Sequence, residues 1–218
     1  MPGARTSAHP IFTVQPREPL DERRVEHLSA LAAEVRRLNE ATVHTALPEE
    51  ELTELTAQVR ALTDRLDAAR RAFPPVSGDG YTTPGEGMLQ QIASPVTGEL
   101  NPIAPPCRIE FLEDGSVRTE FTLNFLYEGP PGLAHGGVSA MVLDQLLGLA
   151  ANNNGTPGLT ASLELRYRRP TPLGQRLTAE ARIDRIEGRK AYAVGRILNA
   201  EGKVTIEATA MFVMPMLG

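Results

Sequence analysis

Apolar residues recur at Leu28, Leu31, Val35 and Leu38, and again at Leu52, Leu55, Val59, Leu62, Leu66, Ala69 and Phe73. Both series step by three and four, the repeat of one helical face. Between Asp21 and Phe73 there is no Gly and a single Pro. Thr45-Ala46-Leu47-Pro48-Glu49-Glu50 separates the two series, with a Pro suited to a first helical turn and acids that a helix N-terminus favours. The pattern predicts an antiparallel helical hairpin over 21–73, preceded by an irregular segment, 1–20, interrupted by four prolines. So narrow an apolar stripe needs a partner surface: the other arm, a second subunit or the domain that follows.

Residues 74–106 contain twelve Gly or Pro, no Lys or Arg and no periodicity. They are expected to act as a connector, packed against the next domain over 94–102 and disordered nearer Ser77 to Gly87. From Cys107 the period shortens to two. Arg108–Leu112 and Val117–Leu123 flank Asp114-Gly115, a hairpin signal. Further strands are expected at Leu159–Tyr167, Gln175–Ile186, Lys190–Leu198 and Val204–Val213, with one long apolar helix before them. The order β-β-α-β-β-β-β with short links requires mostly antiparallel neighbours. Six strands bury one apolar helix most simply by curling around it. The fold expected for 107–218 is therefore α+β, a curved six-stranded antiparallel sheet around a central helix.

Composition narrows the function. A net charge of -5 excludes a general nucleic-acid binder, which needs a basic surplus to neutralise phosphates. A single cysteine, Cys107, cannot close an intrachain disulfide, and no Cys/His grouping has zinc-ligand spacing. The longest apolar stretch, Val138–Ala151, is interrupted by Asp144 and Gln145 and falls short of a membrane span. The first twenty residues lack the apolar run of a signal peptide. A soluble cytoplasmic protein without metal or cofactor is expected.

The chemistry concentrates in Gly129-Pro130-Pro131-Gly132-Leu133-Ala134-His135-Gly136-Gly137 and the helix after it. Gly136 and Gly137 leave backbone N–H groups uncovered at a helix start, where the first donors have no intrahelical partner and the dipole is positive. A developing oxyanion can dock there. Asp144 lies among Met141, Val142, Leu143, Leu146 and Leu147. A carboxylate in such surroundings needs hydrogen-bond partners, and function is one reason to retain it. His135 is expected to shape the loop more than to move protons. Ser139 lacks a nucleophile-elbow setting, Cys107 lacks the context of an activated thiol, and the glycines at 78, 80, 85 and 87 form no dinucleotide fingerprint.

His-Gly-Gly, a helix with an acid nine residues after the histidine, the strand Thr160-Ala161-Ser162-Leu163-Glu164-Leu165 and Arg169-Pro170-Thr171-Pro172-Leu173-Gly174 together resemble the hotdog-fold acyl-CoA thioesterases of the PaaI type. The Gly-Pro-Pro-Gly approach to the histidine is similar to the carboxyl-terminal modulator protein-like branch. The resemblance spans about Ser94 to Pro215. It implies that Gly137 is the oxyanion donor, that His135 shapes the loop, that Asp144 activates water or attacks the thioester, and that Thr160 helps to place the water. Thr160 is equally a β-branched residue filling a strand position. Some relatives carry a side-chain amide on the loop before the histidine, whereas this loop offers Glu128 and Gly129. The helical hairpin lies outside the common fold.

Gly137 and Asp144 are about 10 Å apart along one helix, too far for one thioester to touch both. Two such helices placed antiparallel across a two-fold axis bring the glycine of one to the carboxylate of the other. A homodimer or dimer of dimers acting on acyl-CoA is expected, with Gly136, Arg168 and Arg169 contacting substrate. The arginines, with Arg166, Arg189 and Lys190 nearby, suit CoA phosphates, and equally guard exposed strands. The competing class is a non-catalytic acyl-CoA-binding protein that regulates or scaffolds through its hairpin.

Overall fold

The computed structural model describes residues 18–77, 92–105 and 107–214. Pro19–Leu20 (β1) precedes helix α1, Glu22–His44, which Asp21 caps by accepting a 2.7 Å hydrogen bond from Arg24 N. Helix α2, Glu49–Asp67, begins with three glutamates and follows a short break. Val76–Ser77 (β2) then pairs in parallel with β1.

Both N-terminal helices occupy the expected positions, but their arms are not packed along their lengths. Helix α1 finds its partner in the connector. Arg36 donates to the carbonyls of Ala104 and Asn101, both at 3.1 Å, Ala32 is buried, and the His44 ring meets Phe125 edge-on. Helix α2 has no buried residue.

Within the connector, Ile92, Ser94, Val96 and Ala104 are buried, and Val96 joins the main core. The Ser94 hydroxyl accepts from the amides of Val96 and Thr97 and holds this turn-rich stretch without regular structure. The expected packing of 94–102 is therefore present, while 78–87 lies outside the described residues.

From residue 107 the chain forms β3 (Arg108–Phe111), β4 (Val117–Thr122), a 3-10 turn at Phe125–Tyr127, α3 (Gly136–Asn153), β5 (Leu159–Tyr167), β6 (Arg176–Glu187), β7 (Lys190–Leu198) and β8 (Val204–Val213). The six strands make one antiparallel sheet in the order β3-β4-β6-β7-β8-β5. Helix α3 crosses its face and touches β4, β5, β6, β7 and β8. This is the hotdog architecture. The helix contributes the bulk, with Val142, Leu143, Leu146 and Leu147 fully buried, and the strands answer with small residues, Ala179, Ala181, Ala191, Ala193, Ala208 and Ala210. Small strand residues let a bulky helix sit close at crystal-like packing density. Gly195 is one place where strand and helix crowd, because a Cβ there would lie 3.2 Å from Leu147 of α3 and 2.9 Å from the Glu180 carbonyl of β6.

Two consequences position the site. Strand β5 ends the sheet, and among the described residues its outer backbone edge pairs with no other strand over nine residues. The face of α3 that carries Gly137, Val138, Met141, Asp144 and Gln145 is only partly covered by its own chain.

Candidate active site

The loop before α3 is braced by backbone and side chain together. Gly129 N donates to Leu133 O, His135 N to Tyr127 O, and Gly132 N to Glu128 Oε1 at 2.6 Å. Glu128 thus spends its carboxylate within the loop. Gly129 is required by close approach: a Cβ would stand 2.8 Å from His135 Cα.

His135 is the N-cap of α3, and its Nδ1 accepts a 3.0 Å hydrogen bond from Gly137 N. His135 thus caps the start of α3 through its ring. The same bond occupies the Gly137 amide. Val138 N and Ser139 N both donate to His135 O. Among the described residues, the Gly136 amide is the one N–H of this first turn without an acceptor. The open donor thus sits one residue earlier than Gly137.

Asp144 lies two turns further along α3, half-buried, on its partly open face. Thr160 Oγ1 donates to Asp144 Oδ1 at 3.0 Å. A β-bulge makes this contact possible. Leu163, Leu165 and Tyr167 pair with Ala210, Ala208 and Ile206 of β8 and share their helix-facing side. Strict alternation would place Ala161 next on that side, but the register shifts between Thr160 and Ser162, so Thr160 pairs with Phe212 and faces α3.

At the other end of β5, the Tyr167 hydroxyl donates to Gly136 O at 3.1 Å. Strand and helix are thus tied at both ends of the site. A Cβ on Gly136 would lie 2.9 Å from this hydroxyl, so glycine allows the contact. Sequence reasoning did not single out Tyr167, and its position on the helix-facing side of β5 is the signal that would have found it.

A cleft of about 400 Å³ opens beside the helix start, lined by Leu133, Gly136, Ser139, Tyr167, Arg168 and Arg169 among others. Ser139 is buried, and its hydroxyl has no partner among the described residues. A buried unpaired hydroxyl costs about 1–3 kcal/mol. Arg168 directs both Nε and Nη2 to Glu207 Oε2 at 2.9 and 2.8 Å, and Arg169 Nη1 donates to Val204 O. The structure therefore gathers Gly136, Arg168 and Arg169 around one cleft and Asp144 with Thr160 around another point of the same helix.

Cys107 is excluded as a nucleophile. It is buried, and desolvation pushes its thiol up to about 12. Among the described residues there is no cluster of His, Cys, Asp or Glu able to hold a metal, and no helix long and apolar enough to cross a membrane.

The sequence profile of the thioesterase superfamily matches residues 131–206, from the loop before α3 into β8. A crystal structure of a thioesterase superfamily protein is 36% identical, with a TM-score of 0.77, over 85% of this chain and 94% of that one. The acyl-coenzyme A thioesterase THEM4 of Xenopus laevis is 36% identical over 87 residues, and that of Mus musculus 34% over 87 residues. Those matches take in 39% of this chain and only 39% and 37% of the two relatives' own lengths. By the profile and the near full-length structural match, the chain belongs to the thioesterase superfamily.

Proposed function

We propose that the protein hydrolyses acyl-CoA thioesters to a free acid and CoA, at a site shared by two copies of the chain. The observation that carries this reading is the Asp144 carboxylate, held by Thr160 on an otherwise apolar helix and facing outward from its own subunit. A carboxylate so held is poised toward whatever covers that face. An antiparallel second copy of α3 would cover it and bring the partner's Gly136 amide toward Asp144. The unpaired edge of β5 offers a route to the same association, since two such edges can pair across the two-fold axis.

In this arrangement the acyl carbonyl oxygen sits on the Gly136 amide, at the positive end of α3. Asp144 of the other subunit either removes a proton from the attacking water or attacks the carbonyl carbon itself. Negative charge develops on the carbonyl oxygen, the C–S bond breaks, and CoA departs as the thiolate and takes up a proton. If Asp144 attacks, a mixed anhydride forms and water cleaves it in a second step. Thr160 fixes the carboxylate rotamer in either route. Arg168 and Arg169 lie at the cleft and contact the CoA portion, and Ser139 meets a polar atom of the substrate. The relatives named as acyl-coenzyme A thioesterases support this substrate class. A buried, unpaired Cys107 suits the reducing cytoplasm.

Hydrolysis of a panel of short, long and aromatic acyl-CoAs tests the reading. Thiol release by the parent protein that is abolished in Asp144→Asn supports it. Tight acyl-CoA binding with no release would favour a sensor or scaffold. Repeated turnover in isotopically labelled water separates the two routes, because only nucleophilic attack leaves label in Asp144.

A further inference from the structure

Helix α2 is well formed, yet none of its residues is buried against the described residues of its own chain. Its seam residues Leu52, Leu55, Val59, Leu62 and Leu66 are 38–55% exposed. Helices in proteins draw most of their stability from packing an amphipathic face, and five aligned apolar side chains call for a cover. We propose that α2 pairs with α2 of a second copy as a two-stranded antiparallel coiled coil.

Three features point to this occupant. The seam steps 3-4-3-4, the two-position heptad stripe of a coiled coil, which is narrower than the face a helix presents to a domain core. Beside the seam, the charged flanking positions are divided along the helix: Glu49 and Glu51 lie in the first turn and Arg65 near the end. A parallel pair would keep Glu51 and Arg65 at opposite ends, whereas an antiparallel pair sets each Glu51 beside an Arg65 of the other copy. Finally, one register satisfies seam and flank together. With the two-fold axis near Ala57, Leu52 faces Leu62 of the other copy, Leu55 faces Val59, and Glu51 flanks Arg65 twice by symmetry. Asp64 and Asp67 fall on positions directed away from the seam. The surface is self-complementary, and the partner it fits is this chain. This pairing stands whether or not the thioesterase reading holds.

The test uses the full-length chain with single added cysteines and a short bis-maleimide cross-linker, native Cys107 being buried. In the proposed register Gln58 lies within about 3 Å of its mate along the axis, while Leu66 lies about 27 Å from its own. Gln58→Cys is expected to cross-link into a covalent dimer and Leu66→Cys is not. Adding Arg65→Glu to Gln58→Cys is expected to lower the cross-linked fraction about fivefold or more, since two flanking ion pairs become like-charge contacts. Adding Glu51→Arg as well restores it. Cross-linking at Leu66 in place of Gln58 would overturn the antiparallel pairing. No cross-linking at either position, or charge reversal without effect, would overturn the self-association of α2.

Discussion

Thr160 and Asp144 meet through a 3.0 Å hydrogen bond although they come from different elements, and a one-residue bulge in β5 creates the contact. The bond uses one carboxylate oxygen and leaves the second without a hydrogen bond to the described residues. Asp144→Ala is expected to lower kcat at least about a hundredfold, the usual scale for a positioned base or nucleophile. Thr160→Ala is expected to cost about tenfold, a hydrogen bond to a charged group. Thr160→Ser retains the hydroxyl and most of the rate. Steady-state kinetics of the three variants, with circular dichroism as a folding control, checks the order.

The two glycines after His135 separate by function. The Gly136 amide is open, whereas the Gly137 amide is held by His135 Nδ1. Gly136→Pro removes the open donor at the first helical position, which accepts proline, but its Cβ also displaces the Tyr167 hydroxyl. It is expected to reduce kcat about a hundredfold or more, as loss of an oxyanion donor does, whereas Gly136→Ala, with the same Cβ and the amide kept, loses less. Gly137→Ala adds a Cβ 3.2 Å from His135 Nδ1, disturbs the cap and costs less. Equal losses in Gly136→Pro and either alanine variant would place the donor elsewhere.

Ser139 poses a trade between stability and substrate binding. Replacing it with Ala removes a buried hydroxyl that has no protein partner. The variant is expected to be more stable to thermal unfolding by about 1 kcal/mol, and to show a raised KM for the acyl-CoA that the parent protein prefers. Loss of stability with an unchanged KM would remove Ser139 from the site.

Cys107 responds to pH in one direction. Burial raises its thiol from 9.0 to about 12, so the neutral form is the folded form. Its contribution to stability is complete below about pH 9 and is lost as the pH rises toward 12. At pH 8 the folded thiol has a thiolate fraction roughly a thousandfold below that of an unfolded one. Iodoacetamide is therefore expected to label Cys107 slowly at pH 8 and rapidly once urea unfolds the chain. Equal labelling rates would show that the thiol is accessible.

Most of this architecture was legible because the hydrophobic period is strong where one face is buried. Leu159–Tyr167, Lys190–Leu198 and Val204–Val213 have the bounds expected from alternation and turn residues. Asp144 stood out as a charge in an apolar helix, and His135 as a polar residue at a helix start. The identity of the open amide was not legible, because it depends on which N–H the His135 ring occupies. Tyr167 and Ser139 were missed for a related reason. One is a strand aromatic whose hydroxyl reaches a helix carbonyl across the fold, and the other an ordinary helix serine until its lack of a partner is known. The bulge that turns Thr160 toward α3 follows from register, which a strand sequence does not display. The N-terminal repeat located α1 and α2 correctly. It did not reveal that α1 would dock on the connector through Arg36 and leave α2 bare.

A site assembled from two subunits has a consequence that a site within one subunit cannot imitate. Gly136→Pro and Asp144→Ala chains, each inactive alone, are unfolded together, refolded as a mixture and assayed. Random pairing makes half of the dimers mixed, each with one intact site, so about one quarter of the parent activity returns. Activity that stays at the level of the separate variants, in a mixture shown by mass spectrometry to contain mixed dimers, would contradict catalysis between Gly136 of one subunit and Asp144 of the other.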